Sequence, residues 1–276
     1  RKKYGKLPPK EAENTPWKRT NIDIIGPYTV KTPSAMRQLW ALTMIDPVTG
    51  WFDIASLGEN APNSDMVQKR FDSVWLSRYP RPQEIGIDNG TPFMALFKEL
   101  CKNMGIEQAP ITAHNPQANS IIERVHQVVG NMLRTFEMQK RELDDLYPFD
   151  EFLTSAAYAI RCTYHTTLQA SPGELVYGRD MHLPIQFIAD WASIALRKQK
   201  EIDRNNEREN ANRINWDYKV GDEVLLAKPG IIPKLDTPRT GPYVIKRVHT
   251  NGTITIQKGV VTERVNIRRC QPYFKK

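Results

Sequence analysis

The chain has 276 residues, 40% of them hydrophobic, enough for a real core, so wholesale disorder is excluded. No apolar run approaches the roughly 18 residues a membrane helix needs, so no membrane partner is expected. The 39 basic and 31 acidic residues leave +8, but the charge is segregated: residues 1–20 carry +5, 21–196 carry −6 and 197–276 carry +9. Arg1 to Pro16 is polar, Pro-containing and without periodicity, and reads as a basic linker over 1–15. Ile22 to Ile25 forms a short strand ended by Gly26-Pro27. Leu39 to Ile45 and Trp51 to Leu57 are two more strands, joined as a hairpin by the turn residues Asp46 to Gly50. Asn63 caps a helix to about Tyr79, where Pro80 and Pro82 stop it.

Glu84 to Ile87 is a short strand running into Asp88-Asn89-Gly90. Thr91-Pro92 opens a helix through Leu96, Phe97 and Leu100, and a strand over Ile106 to Ile111 follows. A long helix runs from about Ala118 to Lys140, with Ile121, Val125, Val128 and Met132 toward the core. Another covers about Phe149 to Tyr164. This order predicts an α/β unit with a mixed sheet over 16–185. A charged helical linker over 186–218 follows, with Ile188, Trp191, Ile194 and Ala195 as its apolar stripe. Short strands at about ten-residue spacing predict a small all-β barrel over 219–276.

Three carboxylates stand out. Asp23 lies mid-strand among isoleucines, Asp88 ends a strand, and Glu123 lies on the long helix. Acids are depleted in strands and expensive to bury. Three of them meeting at one point repel and raise each other's pKa values unless divalent cations intervene. Oxygen ligands suit Mg²⁺ or Mn²⁺, and two such ions can activate an attacking oxygen and stabilise a leaving one. Such ions would also reconcile an acidic middle with basic ends suited to a phosphate backbone. The three cysteines, Cys101, Cys162 and Cys270, are odd in number and far apart. That argues against a disulfide framework or a Cys-rich zinc site and fits a reducing compartment.

The stretches Trp17-x5-Asp23-x2-Gly26-Pro27, Asp88-Asn89-Gly90-x2-Phe93 and His114-Asn115-Pro116-Gln117-Ala118-Asn119-Ser120-x2-Glu123-Arg124 resemble the catalytic core of retroviral and LTR-retrotransposon integrases. Asn115 and Ser120 stand where many gypsy-type members have His and Gly, and 34 residues rather than 35 separate Asp88 from Glu123. Ser171-Pro172-x-Glu174-Leu175-x2-Gly178-Arg179 and Gly241-Pro242-Tyr243 look like gypsy-type features further along.

The resemblance implies an RNase H-like five-stranded mixed sheet with flanking helices, followed by a small β-barrel. It implies a catalytic, metal-binding triad of Asp23, Asp88 and Glu123, with two Mg²⁺ (or Mn²⁺) ions per site. It implies an enzyme that trims the 3′ ends of reverse-transcribed element DNA and joins them to target DNA. Expected contacts to DNA are Asn119, Gln117, His114 and Gln127 around the site. In the C-terminal part they are Lys228, Lys234, Arg239, Lys246, Arg247, Arg264, Arg268 and Arg269, acting on phosphates rather than reading bases. Double-stranded DNA and a homo-oligomer, dimer or tetramer, are the expected partners. The nucleus, after a cytoplasmic particle stage, is the expected location. The His-His-Cys-Cys zinc domain usual in the family is not found here, so a polyprotein fragment without a zinc site is expected. A non-catalytic integrase-derived DNA-binding or tethering protein is the rival from another class, and a nuclease of the same fold the rival among enzymes.

Overall fold

A computed structural model describes residues 3–88, 90–110, 116–138, 149–228 and 236–274, with only the backbone described at 110, 116–121 and 136–138. The chain divides into two units, one of Glu13–Ile111 with Gln117–Arg197, the other of Arg1–Ala12, Thr112–Pro116 and Lys198–Lys276. The first strand, β1 (Lys3–Tyr4), belongs to the smaller unit.

The larger unit holds β2 (Arg19–Lys31), β3 (Met36–Ile45), β4 (Phe52–Gly58), α1 (Ser64–Phe71), β5 (Glu84–Ile87), α2 (Leu96–Asn103), β6 (Glu107–Pro110), α3 (Pro116–Met138), α4 (Asp150–Cys162) and α5 (Pro172–Tyr177). Its sheet has the order β4-β3-β2-β5-β6. The β2, β3 and β4 strands are antiparallel neighbours, while β5 and β6 add in parallel. This is the mixed five-stranded sheet with flanking helices that the sequence led us to expect. One face packs Ile25, Ala41 and Ile54 against Ile122, Val129 and Leu133 of α3 and Leu153 of α4. The other packs Ile22, Leu42 and Ile85 against Phe71 of α1 and Phe97 of α2.

Several local expectations change. β2 does not end at Gly26-Pro27 but runs to Lys31. Its register with β3 shifts between Ile25 and Tyr28, so Pro27 falls at a bulge where no ladder N–H is required. Gly26 has φ 118°, and a Cβ there would stand 2.7 Å from the Leu39 carbonyl. Gly241-Pro242 repeats the device, with a Cβ on Gly241 2.8 Å from the Val224 carbonyl. Thr91–Phe93 is a separate 3₁₀ turn, cut off from α2 by Ala95 at φ 49°. On α3, Val125 and Met132 pack against the core as expected, but the fully buried residues are Ile122, Val129 and Leu133, and Val128 is exposed. Ser171-Pro172-x-Glu174 is a capping box that starts α5, and Gly178, left-handed at φ 66°, ends it.

The helix α6 (Trp191–Ala211) carries the chain into the smaller unit, followed by β7 (Arg213–Ile214), β8 (Glu223–Ala227), β9 (Arg239–Val248), β10 (Thr253–Lys258), β11 (Val261–Asn266) and β12 (Cys270–Pro272). Of the stripe expected on α6 only Ile194 is buried, and Ile188 is fully open to solvent. The strand order is β11-β10-β9-β8-β12, all antiparallel, over a core of Val224, Leu226, Ile245, Ile254, Ile256 and Val265.

Residues 3–12, read from sequence as a linker, are built into this unit. β1 pairs in parallel with β7, and Leu7 joins the core. Polar side chains of α6 grip the segment by its backbone. The Asn210 amide donates to Leu7 O (3.0 Å) and accepts from Leu7 N (2.7 Å). Asn206 donates to Pro8 O at 3.1 Å, and Gln199 donates to Lys10 O and accepts from Ala12 N. Such backbone recognition leaves no hydropathy signal, which is why composition suggested a linker.

Candidate active site

Asp23 sits on β2, the central strand, among residues whose alternation sets Ile22 on one face and Asp23 on the α3 face. β2 and β5 pair with Thr20 opposite Ile85 and Asn21 opposite Gly86. The same register carried two residues further brings Asp23 abreast of Asp88, just beyond the end of β5. Glu123 lies on the outer side of Ile122, the residue that anchors α3 to the sheet, and is exposed.

Asp23 is half-buried, and its pKa is raised to about 6. Loss of hydration is the main cause, opposed by the Ile24 N–H that donates to Oδ1 at 2.8 Å. The negative charges of Asp88 and Glu123 push it further up. Asp88 and Glu123 thus both act on Asp23, as charges of like sign do. Asp88 accepts from the Gly90 N–H at 2.9 Å, which fixes its rotamer. Among the described residues, however, no three His, Cys, Asp or Glu side chains gather closely enough to hold a metal ion together. An all-oxygen donor set with mutual repulsion fits a hard divalent cation in its chemistry; the carboxylates are not drawn into a closed cage.

Behind Asp23 stand two residues that bear on it. Thr43, opposite Asp23 on β3, donates from Oγ1 to Asp23 O at 3.0 Å. His126, one turn beyond Glu123, has Nε2 2.8 Å from Thr43 Oγ1 and Nδ1 4.0 Å from Asp23 Oδ2. Burial lowers the His126 pKa to about 4, so the ring is neutral near pH 7. His126 could be placed on the Glu123 side from helical spacing alone. Thr43 could not be found without the β2–β3 register.

Of the expected DNA contacts near the site, Gln127 is exposed on α3. His114 and the side chains of Gln117 and Asn119 lie outside the described residues. In the smaller unit, Lys246, Arg247 and Arg264 are exposed, and Lys234 lies outside the described residues. Arg247, Thr255 and Arg264 stand side by side across β9, β10 and β11. His249, missed from sequence, joins them through Nε2 at 2.9 Å from Thr255 Oγ1. Arg239 is half-exposed, and Lys228 is paired with Asp236 at 2.8 Å.

Two of the expected phosphate contacts are engaged within the unit itself. Arg268 is engaged by Glu209 in a bidentate pair of 2.7 and 2.8 Å and is largely buried, so its guanidinium is committed within the unit. Arg269 is half-buried and donates to Ala227 O at 3.1 Å.

No protein-family model matches the chain. In sequence it is 26% identical over 265 residues to the retrovirus-related Pol polyprotein from transposon 412 of Drosophila melanogaster, covering 86% of this chain and 20% of that one. The chain therefore spans about a fifth of the length of this curated relative. Among solved structures, a chain of the simian T-cell lymphotropic virus intasome, in complex with the PP2A regulatory subunit B56 gamma, matches with a TM-score of 0.63 and 14% identity. That match covers 100% of this chain and 84% of the other. The HTLV-2 integrase catalytic core domain in complex with magnesium matches with a TM-score of 0.47 and 17% identity, over 58% of this chain and 95% of that domain. In sequence the chain is thus similar to a retrovirus-related Pol polyprotein, and in fold to a chain of a retroviral intasome.

Proposed function

We propose that the chain is the integrase part of a longer Pol-type protein, trimming the 3′ ends of element DNA and joining them to target DNA. The observation that carries this reading is Asp23, a half-buried strand carboxylate whose pKa is raised in part by Asp88 and Glu123. A structural role gives no reason to set two acids where their charge acts on a half-buried carboxylate. Asp23, Asp88 and Glu123 would hold magnesium or manganese, two ions per site. When bound, these supply an activated attacking oxygen and shield the charge that collects on the leaving one.

The chain's own part is positioning. β2 and β5 fix the two aspartates before substrate arrives, and α3 brings the glutamate. In trimming, a water oxygen bonds to phosphorus as the bond to a 3′-oxygen breaks; in joining, a DNA 3′-hydroxyl does the same on the target strand. The attacking oxygen gives up its proton and the departing 3′-oxygen takes one, so no bond to the protein forms. Lys246, Arg247 and Arg264 would hold DNA by its phosphates. The enzyme would work as a dimer or tetramer, since two DNA ends must be joined together, and in the nucleus.

The alternative is a non-catalytic integrase-derived DNA-binding or tethering protein. A Mg²⁺-dependent oligonucleotide joining assay separates the two. Glu123→Gln is expected to lower joining by about 10³-fold, the scale of a lost electrostatic contribution, while DNA binding holds. Joining undiminished in that variant would refute the assignment.

A further inference from the structure

Ser64 opens α1, yet its hydroxyl serves α2. It donates to the Met94 carbonyl and accepts from the Phe97 N–H at 2.8 Å. Phe97 is the second residue of α2, whose N-cap, Ala95, makes no side-chain hydrogen bond of its own. An N-cap side chain ordinarily takes the N–H of the second or third helical residue. Ser64 does so from 33 residues away. Its own helix does not need it: Asn63 caps α1 by accepting the Met66 N–H at 3.0 Å. The two contacts of Ser64 straddle Ala95, whose φ of 49° a residue with a Cβ rarely adopts. Such a conformation persists only where its surroundings hold it.

From this pin a run of bonds leads back to Asp88. The Met94 N–H donates to Thr91 O and the Phe93 N–H to Gly90 O, each at 3.1 Å, which closes the 3₁₀ turn. Phe93 is buried against Phe97, and Gln108 donates to its carbonyl at 3.3 Å. The Gly90 N–H donates to Asp88 Oδ1 at 2.9 Å, so close that a Cβ on Gly90 would stand 2.8 Å from the same oxygen. The carboxylate is therefore aimed by an amide that belongs to the turn, and Ser64 holds the far end of that turn. We infer that Ser64 is a positioning residue for Asp88, acting through the turn and the Gly90 amide. Partners that orient a ligating carboxylate typically cost roughly 10–100-fold in affinity or activity when lost. The catalytic half of this inference rests on the integrase reading; the aiming of Asp88 does not.

Proton–nitrogen NMR of the ¹⁵N-glycine-labelled full chain, metal-free at neutral pH, reads the Gly90 amide. Its proton should stand downfield in the wild type, as an N–H bonded to a carboxylate does. It should move upfield in Ser64→Ala and return in Ser64→Thr, which keeps the hydroxyl, while the Gly86 signal from β5 stays in place. In the joining assay, Ser64→Ala should lower kcat by about tenfold with KM for DNA unchanged, and Ser64→Thr should restore it. A Gly90 signal unmoved in Ser64→Ala, even with a lower melting temperature, reduces Ser64 to a helix cap and overturns the proposal. An unchanged kcat overturns it too. Should Ser64→Ala not fold, Ser64→Cys, whose thiol bonds only weakly, gives the same two readings. Wild type that joins no better than Glu123→Gln would strike the integrase reading, and the Gly90 signal would still decide whether Ser64 aims Asp88.

Discussion

The smaller unit pairs its buried charges, and the larger unit does so at one site and not at another. In the smaller one, Arg213 is almost fully buried and Arg268 nearly so, and both are met by Glu209, at 3.3 and 2.7 Å. Arg213 further donates to the Tyr4 and Gly5 carbonyls, tying β1 to β7. In the larger unit, Asp53 is treated likewise: Arg161 contacts it at 2.7 Å and the Tyr79 hydroxyl at 2.9 Å. Asp23, on the same sheet, has acids for its charged neighbours and a raised pKa. A buried charge matched by its opposite holds a fold together. One surrounded by its own sign weakens the fold, and its retention there points to use.

Removing a matched charge should cost the fold the most. Arg268→Ala leaves Glu209 short of its bidentate partner and should cost about 1–3 kcal/mol, since Glu209 is partly exposed and keeps Arg213. Hydrogen exchange should then show protection lost at Ile254 and Ile256 and kept at Ile22 and Leu42. Equal losses in both units would break the comparison. Asp23→Asn should do the reverse. A carboxyl whose folded pKa lies above its unfolded value binds more protons when folded, so its contribution to stability is full below about pH 4 and is lost as pH rises through about 6. Without metal, the variant should therefore be more stable than wild type at pH 7, by roughly 3 kcal/mol at most. It should also lack the wild-type decline of melting temperature between those pH values. Magnesium should raise the melting temperature of wild type and leave that of the variant unmoved. The smallest effect belongs to the exposed cations. Arg247→Ala and Arg264→Ala should each reduce the salt slope of DNA binding by about one, with folding unaltered. A slope unchanged in both would remove this face of β9–β11 from DNA binding.

The order of elements and the triad motifs were legible in the sequence because strands, turns and the Asp23, Asp88 and Glu123 signatures are local patterns. What escaped was set by partners far along the chain. α3 carries apolar doublets at Ile121-Ile122, Val128-Val129 and Met132-Leu133. Their period specifies a helix but not how deeply each residue is buried: the sheet buries Ile122, Val129 and Leu133, packs Met132 beside them and leaves Val128 exposed. Gly26-Pro27 reads as a stop, yet a bulge absorbs it because the Leu39 carbonyl needs the space a side chain would fill. Arg268 looked like the other surface cations because Glu209 is 59 residues away. Thr43 bears on Asp23 only through strand register.

The gripping of residues 3–12 by α6 also sets an order in time. The Leu7 amide finds its partner, Asn210, 203 residues later. At synthesis rates of about 5–20 residues per second, the opening segment waits roughly 10–40 s for the helix that receives it. The acidic unit is fully synthesised before then, so it can close its sheet while the basic unit still lacks most of its strands. Residues 3–12 are thus among the last of their unit to find their place.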